Sequence, residues 1–452
     1  MSEFAGKRVL VVGLGASGLA AARALLALDA KVRVTESTDG DNVRARADAL
    51  RSEGAEVETG GHELELIGAD LAVLSPGIPP TAAVVRALER EGVKTISEVE
   101  LAFRLSHCDF LAVTGTNGKT TTTSLLAAML GEAGIPSVAA GNIGLPVVDA
   151  VGSVPDSGAI ALEVSSFQLA AIERFAPRVA VVLNIAEDHT DWHGTTAAYA
   201  AAKARIVENQ GPDDVFLPNA DDPLAMRIAD HTSARVVPFS SRTVPNGGLG
   251  VANRRVVWRG TDILPVDDIP LAGGPGVEDA VAAAGAALEY GVDPKAVARA
   301  ISTFRPLAHR LQIVAQDGGV TYIDDSKATN PHATIAAVDG LTEVVLIAGG
   351  RSKGMDLSDL ERTVPPVRAA VALGEAAEKV VKIFEPLVTV ERALDMRDAV
   401  RRAHRLASAR GSVLLSPGCA SLDMYESYAA RGDAFASAVW ELIKEKQIDG
   451  QS

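Results

Sequence analysis

The chain has 452 residues, 47% of them hydrophobic, and a formal net charge of −15. That length exceeds one hydrophobic core and favours about three domains. The acidic balance excludes a general binder of nucleic acid or anionic membrane, so an anionic ligand requires local cations that reverse the field. Two cysteines, Cys108 and Cys419, make neither a disulfide framework nor a metal cluster, and fit a reducing cytoplasm. The opening residues, MSEFAGKR, lack the apolar core of a signal peptide. No apolar stretch approaches a membrane span, and the Ala-rich run 280–288 is too short.

The first block opens with an expected strand at 8–12, the turn GLGASG, and a helix rich in Ala and Leu. Strands at 32–35 and 71–74 follow, then Ser75-Pro-Gly77 and a helix over about 81–91. Alternating strands and helices predict a parallel sheet covered on both faces, ending near Ser97. Gly13, Gly15 and Gly18 fit G-x-G-x-x-G, and Glu36 ends the next strand, where a dinucleotide fold binds ribose hydroxyls. Taken alone, this pattern suggests an NAD enzyme, although no residues elsewhere clearly suit hydride transfer. It requires only that a phosphate or diphosphate rest on that helix.

The second block, about 110–304, carries the strongest signal. TGTNGKTT at 114–121 lies between a buried strand at 110–113 and a helix at 122–133 that places Leu125, Leu126, Met129 and Leu130 on one face. A Gly-rich turn there aims backbone N–H groups and a helix N-terminus at one point, which favours phosphate. Lys119 adds a mobile cation for the outer phosphates and Thr120 a hydroxyl suited to Mg²⁺. The general pattern G-x-x-x-x-G-K-[ST] wants Gly at 113. Val113 is there, and Gly115 leads a tighter loop. Strands at 159–164 and 178–185 end in EVSSFQ and NIAEDHTD. Their Glu163, Asp188 and His189 offer hard ligands at the crevice end of a parallel sheet. A hairpin at 247–260 and two helices over 279–303 complete the block.

The third block starts near Arg305. A hairpin at 311–324 turns at Asp317-Gly-Gly319, and DDSKATNP at 324–331 opens a helix. Strands at 344–348, 370–373 and 412–415 follow, the first ending in GGRSKG and the last in SPGCASLD. This is a second open α/β sheet. The joints at 97–109 and 303–310 are short and expected to act as hinges.

In order along the chain, TGTNGKTT, GNIGLP, EVSSFQL, NIAEDHTDWH, AHR, DDSKATNP, GGRSKG and SPGCASLD resemble the Mur ligases, ATP-dependent amide-forming ligases of peptidoglycan precursor synthesis. DSKATN, SPGCASLD and the N-terminal GLGASG point to the D-glutamate-adding branch. The resemblance implies an α/β fold of three domains. These are a Rossmann-like UDP-substrate domain at 1–97, a central P-loop ATP-binding domain at 98–304 and a Rossmann-like amino-acid-binding domain at 305–452. It implies transfer of the ATP γ-phosphoryl group to a carboxylate and attack on the acyl phosphate by D-glutamate. The other substrate is UDP-N-acetylmuramoyl-L-alanine, and two Mg²⁺ ions assist. The third domain is expected to swing in over the ATP.

By the same resemblance, Gly115, Thr116, Asn117, Gly118, Lys119, Thr120, Thr121, Asp279, Arg310 and Asp325 bind ATP. Thr120, Glu163, His189 and a carbamylated Lys203 support metal, while Lys119, His189, Lys203 and Lys327 serve catalysis. Gly15, Ser17, Gly18, Glu36, Ser37, Ser75, Gly77 and Asn142 take the UDP-substrate. Thr329, Lys353, Ser421, Leu422 and Tyr428 take D-glutamate. Without the resemblance, Lys203 reads as a surface lysine on an Ala-rich helix. Tyr428 replaces an expected Phe, Thr38 an expected basic residue, and GPGVEDA an expected Asn-rich adenine segment. The resemblance further implies a cytoplasmic monomer that engages neither nucleic acid nor the membrane interior. Three alternatives stand beside it: a Mur ligase for another amino acid, an NAD-binding oxidoreductase, and a non-catalytic nucleotide-binding paralogue.

Overall fold

A computed structural model describes residues 2–62, 68–271, 273–305, 308–338 and 341–449. Five strands, β1 (Arg8–Val12), β2 (Lys31–Glu36), β3 (Glu56–Thr59), β4 (Leu71–Leu74) and β5 (Thr95–Ser97), form a parallel sheet ordered β3-β2-β1-β4-β5. Helices α1 (Ala16–Ala27), α2 (Asp41–Ser52) and α3 (Ala83–Arg90) connect them. The run Val9–Val12 is continuously apolar because both faces of the strand are buried. The order reverses at β1, so the crevice at its C-terminal end receives the GLGASG turn.

Residues 98–105, placed in an expected hinge, instead form α4 (Glu98–Leu105), capped by the Ser97 hydroxyl accepting from Glu100 N–H. Five of its eight residues are buried, and its apolar side chains belong to one core running from the first sheet into the second. Phe103 packs at 5.8 Å from Phe110 and 5.6 Å from Phe175, ring centre to ring centre. A joint that buries this much apolar surface is a packed interface. Of the second joint, residues 306–307 lie outside the described residues.

Next in the chain come β6 (Asp109–Thr114), α5 (Lys119–Glu132), β7 (Ser137–Gly141), α6 (Val147–Val151), β8 (Ala159–Glu163), α7 (Ser166–Leu169) and β9 (Val179–Val182). After α8 (Thr190–His193) and α9 (Thr196–Ala204) come β10 (Val215–Pro218), α10 (Pro223–Arg227) and β11 (Arg235–Val236). The six strands pair in parallel as β11-β10-β9-β6-β8-β7. The hairpin expected at 247–260 is β13 (Leu249–Ala252) with β14 (Arg255–Trp258), extended by β12 (Phe239–Ser240) and β15 (Thr261–Pro265) into a four-stranded sheet. The two expected helices are α11 (Gly273–Tyr290) and α12 (Pro294–Thr303). The first of them starts at Gly273, ahead of the expected start at Asp279, so Asp279 lies inside α11 rather than at its first position. Likewise α5 begins at Lys119, three residues earlier than expected, and β9 is shorter than the expected 178–185.

The last sheet holds β16 (Gln312–Asp317), β17 (Val320–Asp324), β18 (Val344–Gly349), β19 (Val367–Leu373), β20 (Thr389–Arg392) and β21 (Ser412–Leu415), ordered β16-β17-β21-β18-β19-β20. Only the β16–β17 pair is antiparallel. Separate apolar clusters line its two faces, beneath α13 (Pro331–Val338), α14 (Ala377–Phe384), α15 (Met396–Leu406) and α16 (Tyr428–Asp449). The chain gathers into two compact units. The first comprises 1–185, 197–265 and 281–301; the second comprises 186–196, 266–280 and 302–452. Among the described residues no helix is long and apolar enough to cross a membrane.

Two buried carboxylates on α4 staple the first unit. Glu100 accepts N–H groups from Glu173 (2.9 Å), Arg174 (3.0 Å) and Phe175 (2.9 Å) and pairs with Arg104 at 2.8 Å. Replacing it with Ala orphans three amides and leaves the Arg104 guanidinium with Glu173 alone, so urea unfolding should show a loss of about 3–5 kcal/mol. A loss under about 1 kcal/mol would exclude the staple. Burial pushes the Glu98 carboxyl up to about 7, against the lowering effect of N–H groups at Val148 and Val147. Between its ordinary 4.5 and 7 the native state holds the proton that the unfolded chain releases. Stability therefore falls as pH rises through that window, by about 3 kcal/mol relative to Glu98→Gln. Parallel stability–pH curves for the two proteins would contradict this.

Candidate active site

The TGTNGKTT segment turns from β6 into α5 at the C-terminal edge of the central sheet. Gly118 caps α5 at φ +85°, a left-handed conformation that glycine adopts without strain. Lys119 is the first residue of α5, and its ammonium folds back to donate to Gly115 O (2.9 Å) and Thr116 O (2.8 Å). Lys203, from α9, donates to Gly115 O (2.7 Å) and Thr114 Oγ1 (3.3 Å). At 1% exposure it is no surface lysine. Its ammonium lies 4.7 Å from the centre of the Tyr199 ring, whose hydroxyl is 3.2 Å from Thr116 Oγ1.

Asn184, beyond β9, shapes the same loop. Its side-chain oxygen accepts from Asn117 N–H (2.8 Å) and its carbonyl from Thr116 N–H (2.8 Å). Asn184 and Tyr199 were not singled out in the sequence. The only available sign of Asn184 was its place at the head of a strand-end motif.

Glu163 ends β8, beside β6, and is 2% exposed. Its Oε1 accepts from Asn142 Nδ2 at 2.8 Å, while Oε2 is buried without a hydrogen-bond partner among the described residues. An orphaned carboxylate oxygen fits a hard cation such as Mg²⁺. Among the described residues no group of three or more His, Cys, Asp or Glu could hold a metal ion. Thr120, the second residue of α5, adds a hydroxyl at the start of that helix.

In the first sheet, a Cβ at Gly18 would sit 2.0 Å from Gly13 O, and one at Gly15 would meet nothing within 4 Å. The outer glycines are thus demanded by packing, and the middle one leaves the turn open to a ligand. Glu36 Oε2 accepts from Leu14 N–H at 2.8 Å on that turn, and Oε1 from Thr38 N–H at 2.9 Å. Burial would raise its carboxyl. Hydrogen bonds from Leu14, Thr38 and Ser37 outweigh burial and hold it below the usual range. Ser75 Oγ reaches Gly13 O at 3.5 Å, so the residue that follows β4 borders the same turn. Ser17 is the second residue of α1, Ser37 follows β2, and Gly77 lies shortly after β4.

The second unit carries His189, Asp279, Arg310, Asp325, Lys327, Thr329, Lys353, Ser421, Leu422 and Tyr428. Lys353, held at φ +53°, lies 3.4 Å from Asp188 Oδ1, and Asn330 Nδ2 donates to Asp188 Oδ2 at 3.1 Å. Burial would raise the Asp188 carboxyl. Lys353, His189 and these hydrogen bonds hold it below the usual range. Asp325 accepts from Ser416 Oγ (2.8 Å) and Leu311 N–H (3.3 Å), and burial pushes its carboxyl up to about 7. Both oxygens thus already join two loops, and Arg310 Nε nearby is buried without a partner among the described residues.

Lys327 sits over the Tyr428 ring at 5.2 Å, and Ser326 Oγ donates to Tyr428 O at 2.8 Å. Arg351 and Ala420 exchange backbone hydrogen bonds at 2.8 and 3.0 Å, joining GGRSKG to SPGCASLD. Arg431, absent from the sequence-based set, ties the loops together. Its buried guanidinium donates to Ser326 Oγ (2.9 Å), Ser326 O (2.7 Å) and Cys419 O (3.0 Å). Nothing local in the sequence marked it, because its partners lie up to 105 residues away.

Residues 7–97 match the "Mur ligase MurD-like, N-terminal domain", 113–287 the "Mur ligase middle domain" and 309–419 the "Mur ligase, glutamate ligase domain". A Frankia casuarinae protein named UDP-N-acetylmuramoylalanine–D-glutamate ligase is 46% identical over 447 residues, covering 97% of this chain and 94% of its own. A protein of that name from Pelotomaculum thermopropionicum is 40% identical, covering 98% of this chain and 100% of its own. Among solved structures, MurF from Acinetobacter baumannii (TM-score 0.61, 16% identity, 95% of this chain and 93% of its own) shares the fold. So does a pseudomurein peptide ligase type C from Methanothermus fervidus (TM-score 0.59, 17% identity, 97% and 100%). Three domain models in sequence, and relatives of this identity across nearly the whole length, establish that the chain belongs to the Mur ligase family of ATP-dependent ligases.

Proposed function

We propose that the chain forms the amide bond between UDP-N-acetylmuramoyl-L-alanine and D-glutamate, driven by ATP, in peptidoglycan precursor synthesis. The observation that carries this reading is the convergence of Lys119 and Lys203 on the Gly115 turn, in the unit that also holds the orphaned Glu163 oxygen. The full-length relatives of that name support the choice of substrates. Three functional domains at 1–97, 98–304 and 305–452 divide the work, in a cytoplasmic monomer.

Gly115, Thr116, Asn117, Gly118, Thr120 and Thr121 cradle the ATP phosphates, and Lys119 swings from its carbonyls to neutralise the transferring group. Thr120 and Glu163 would hold Mg²⁺, and His189 and a carbamylated Lys203 would support a second ion. When bound, Mg²⁺ would supply charge neutralisation for the phosphates. The substrate carboxylate oxygen bonds to the γ-phosphorus as the bond to the β-phosphate oxygen breaks. The amine of D-glutamate then attacks the acyl carbon, loses a proton, and expels phosphate. Gly15, Ser17, Gly18, Glu36, Ser37, Ser75, Gly77 and Asn142 bind the UDP-sugar. Thr329, Lys353, Ser421, Leu422 and Tyr428 bind D-glutamate, with Lys327 at the reacting end. Asp279, Arg310 and Asp325 complete the nucleotide contacts.

Phosphate release from ATP and Mg²⁺ with UDP-N-acetylmuramoyl-L-alanine tests the reading directly. Release should occur with D-glutamate and stay at background with L-glutamate, meso-diaminopimelate or no amino acid. Release with a different amino acid only would move the chain to another step, and none with any would overturn the ligase reading. Lys353→Met should raise KM for D-glutamate at least about tenfold with a smaller change in KM for ATP, because a charge-assisted contact is lost and Asp188 keeps only its contacts with Asn330 and His189. An unchanged KM would remove Lys353 from the pocket.

A further inference from the structure

Helix α6 is five residues long, and its N-cap is Pro146, which offers no side-chain acceptor. A helix this short does not sustain itself. Its missing cap is supplied from another helix: Val148 N–H donates to Glu98 Oε1 at 2.8 Å. Glu98 is 1% exposed, and its Oε2 has no hydrogen-bond partner among the described residues. A fold alone would favour an apolar residue at such a position, so the cost points to a role beyond stability.

That role is set by what precedes α6. The loop 141–146 runs from the end of β7 to the start of α6. Its first end is fixed on β8. Asn142 N–H donates to Glu163 O at 2.9 Å, and a Cβ at Gly141 would lie 2.2 Å from that same oxygen. Its second end is fixed by Glu98. Helices α1, α4 and α6 also pack against one another, so Glu98 stands where the helix behind the GLGASG turn meets the helix behind the GNIGLP loop.

We propose that Glu98 is a positioning residue for the UDP-sugar substrate, clamping the start of α6 and so holding Asn142 in place relative to the glycine turn of the first sheet. The proposal rests on the substrate reading above. It assigns α4 the task of keeping the two halves of that substrate's site in register.

The test compares the full-length wild type with Glu98→Gln, which retains an acceptor for Val148, and Glu98→Ala, which does not. Hydrogen exchange of amides 142–151 should accelerate about tenfold or more in Glu98→Ala, with the rest of the unit unchanged. KM for UDP-N-acetylmuramoyl-L-alanine should rise about tenfold, while KM for ATP and for D-glutamate stays within about twofold. Glu98→Gln should restore both readouts most of the way to wild type. If Glu98→Ala does not fold, Glu98→Met, which fills the space without an acceptor, takes its place. Unchanged exchange, a uniform rise in all three KM values, or a Gln variant no better than Ala would each overturn the proposal. Absence of turnover in the wild type would instead defeat the substrate reading, leaving exchange to decide the clamp.

Discussion

Two ammonium groups converge on one carbonyl oxygen. Lys119 and Lys203 both donate to Gly115 O, from helices some 80 residues apart in the chain. In a protein of net charge −15, two cations gather at this one turn. Everything around it serves that placement. The parallel sheet brings β6, β8 and β9 to a common edge, the Gly118 cap turns the chain into α5, and Asn184 pins the loop from the next strand. Carbonyl oxygens of the turn hold both ammoniums in place, Lys119 at Gly115 and Thr116 and Lys203 at Gly115.

The second unit solves a different problem, three loops from distant parts of one sheet that must keep a common geometry. It uses buried polar groups as ties. Arg431 joins the loops at 324–330 and 416–423, and Asp325 joins Leu311 to Ser416. Such ties are costly to bury and fail badly when half-satisfied, so they favour one arrangement over its near neighbours. Lys353 is held in the same manner, by Asp188 at a backbone φ of +53°. A carboxylate ligand at Lys353 would therefore enter a site whose cation already carries a counter-charge, which makes Asp188 part of the binding balance.

The main sequence-based expectation that changed concerns 97–109. Read linearly, Ser97–Asp109 is a short stretch between two strand-rich blocks, and short stretches between blocks are hinges by default. What the linear reading missed is that Val99, Leu101, Ala102 and Phe103 meet apolar faces from both sides, and that Glu100 finds three amides more than 70 residues ahead. The start of α11 also moved: Gly and Pro at 273–276 argue against helix by propensity, yet α11 begins at Gly273, with Pro275 in the first turn, where a missing N–H costs nothing.

The sequence by itself determined the alternation of strands and helices, the glycine turns after β1 and β6, the hairpins and the order of the motifs. Each depends on residues within about a dozen positions: apolar period, positive-φ glycines, a lysine next to a helix start. The tertiary structure alone decided which polar groups meet. That Lys203 is buried against Gly115, that Glu163 keeps one oxygen without a partner among the described residues, that Asp188 faces Lys353 and that Glu98 caps α6 are all contacts across 50 to 165 residues or the lack of one. Burial and pairing are properties of the packed chain, because desolvation depends on every neighbour at once, and no local window contains those neighbours.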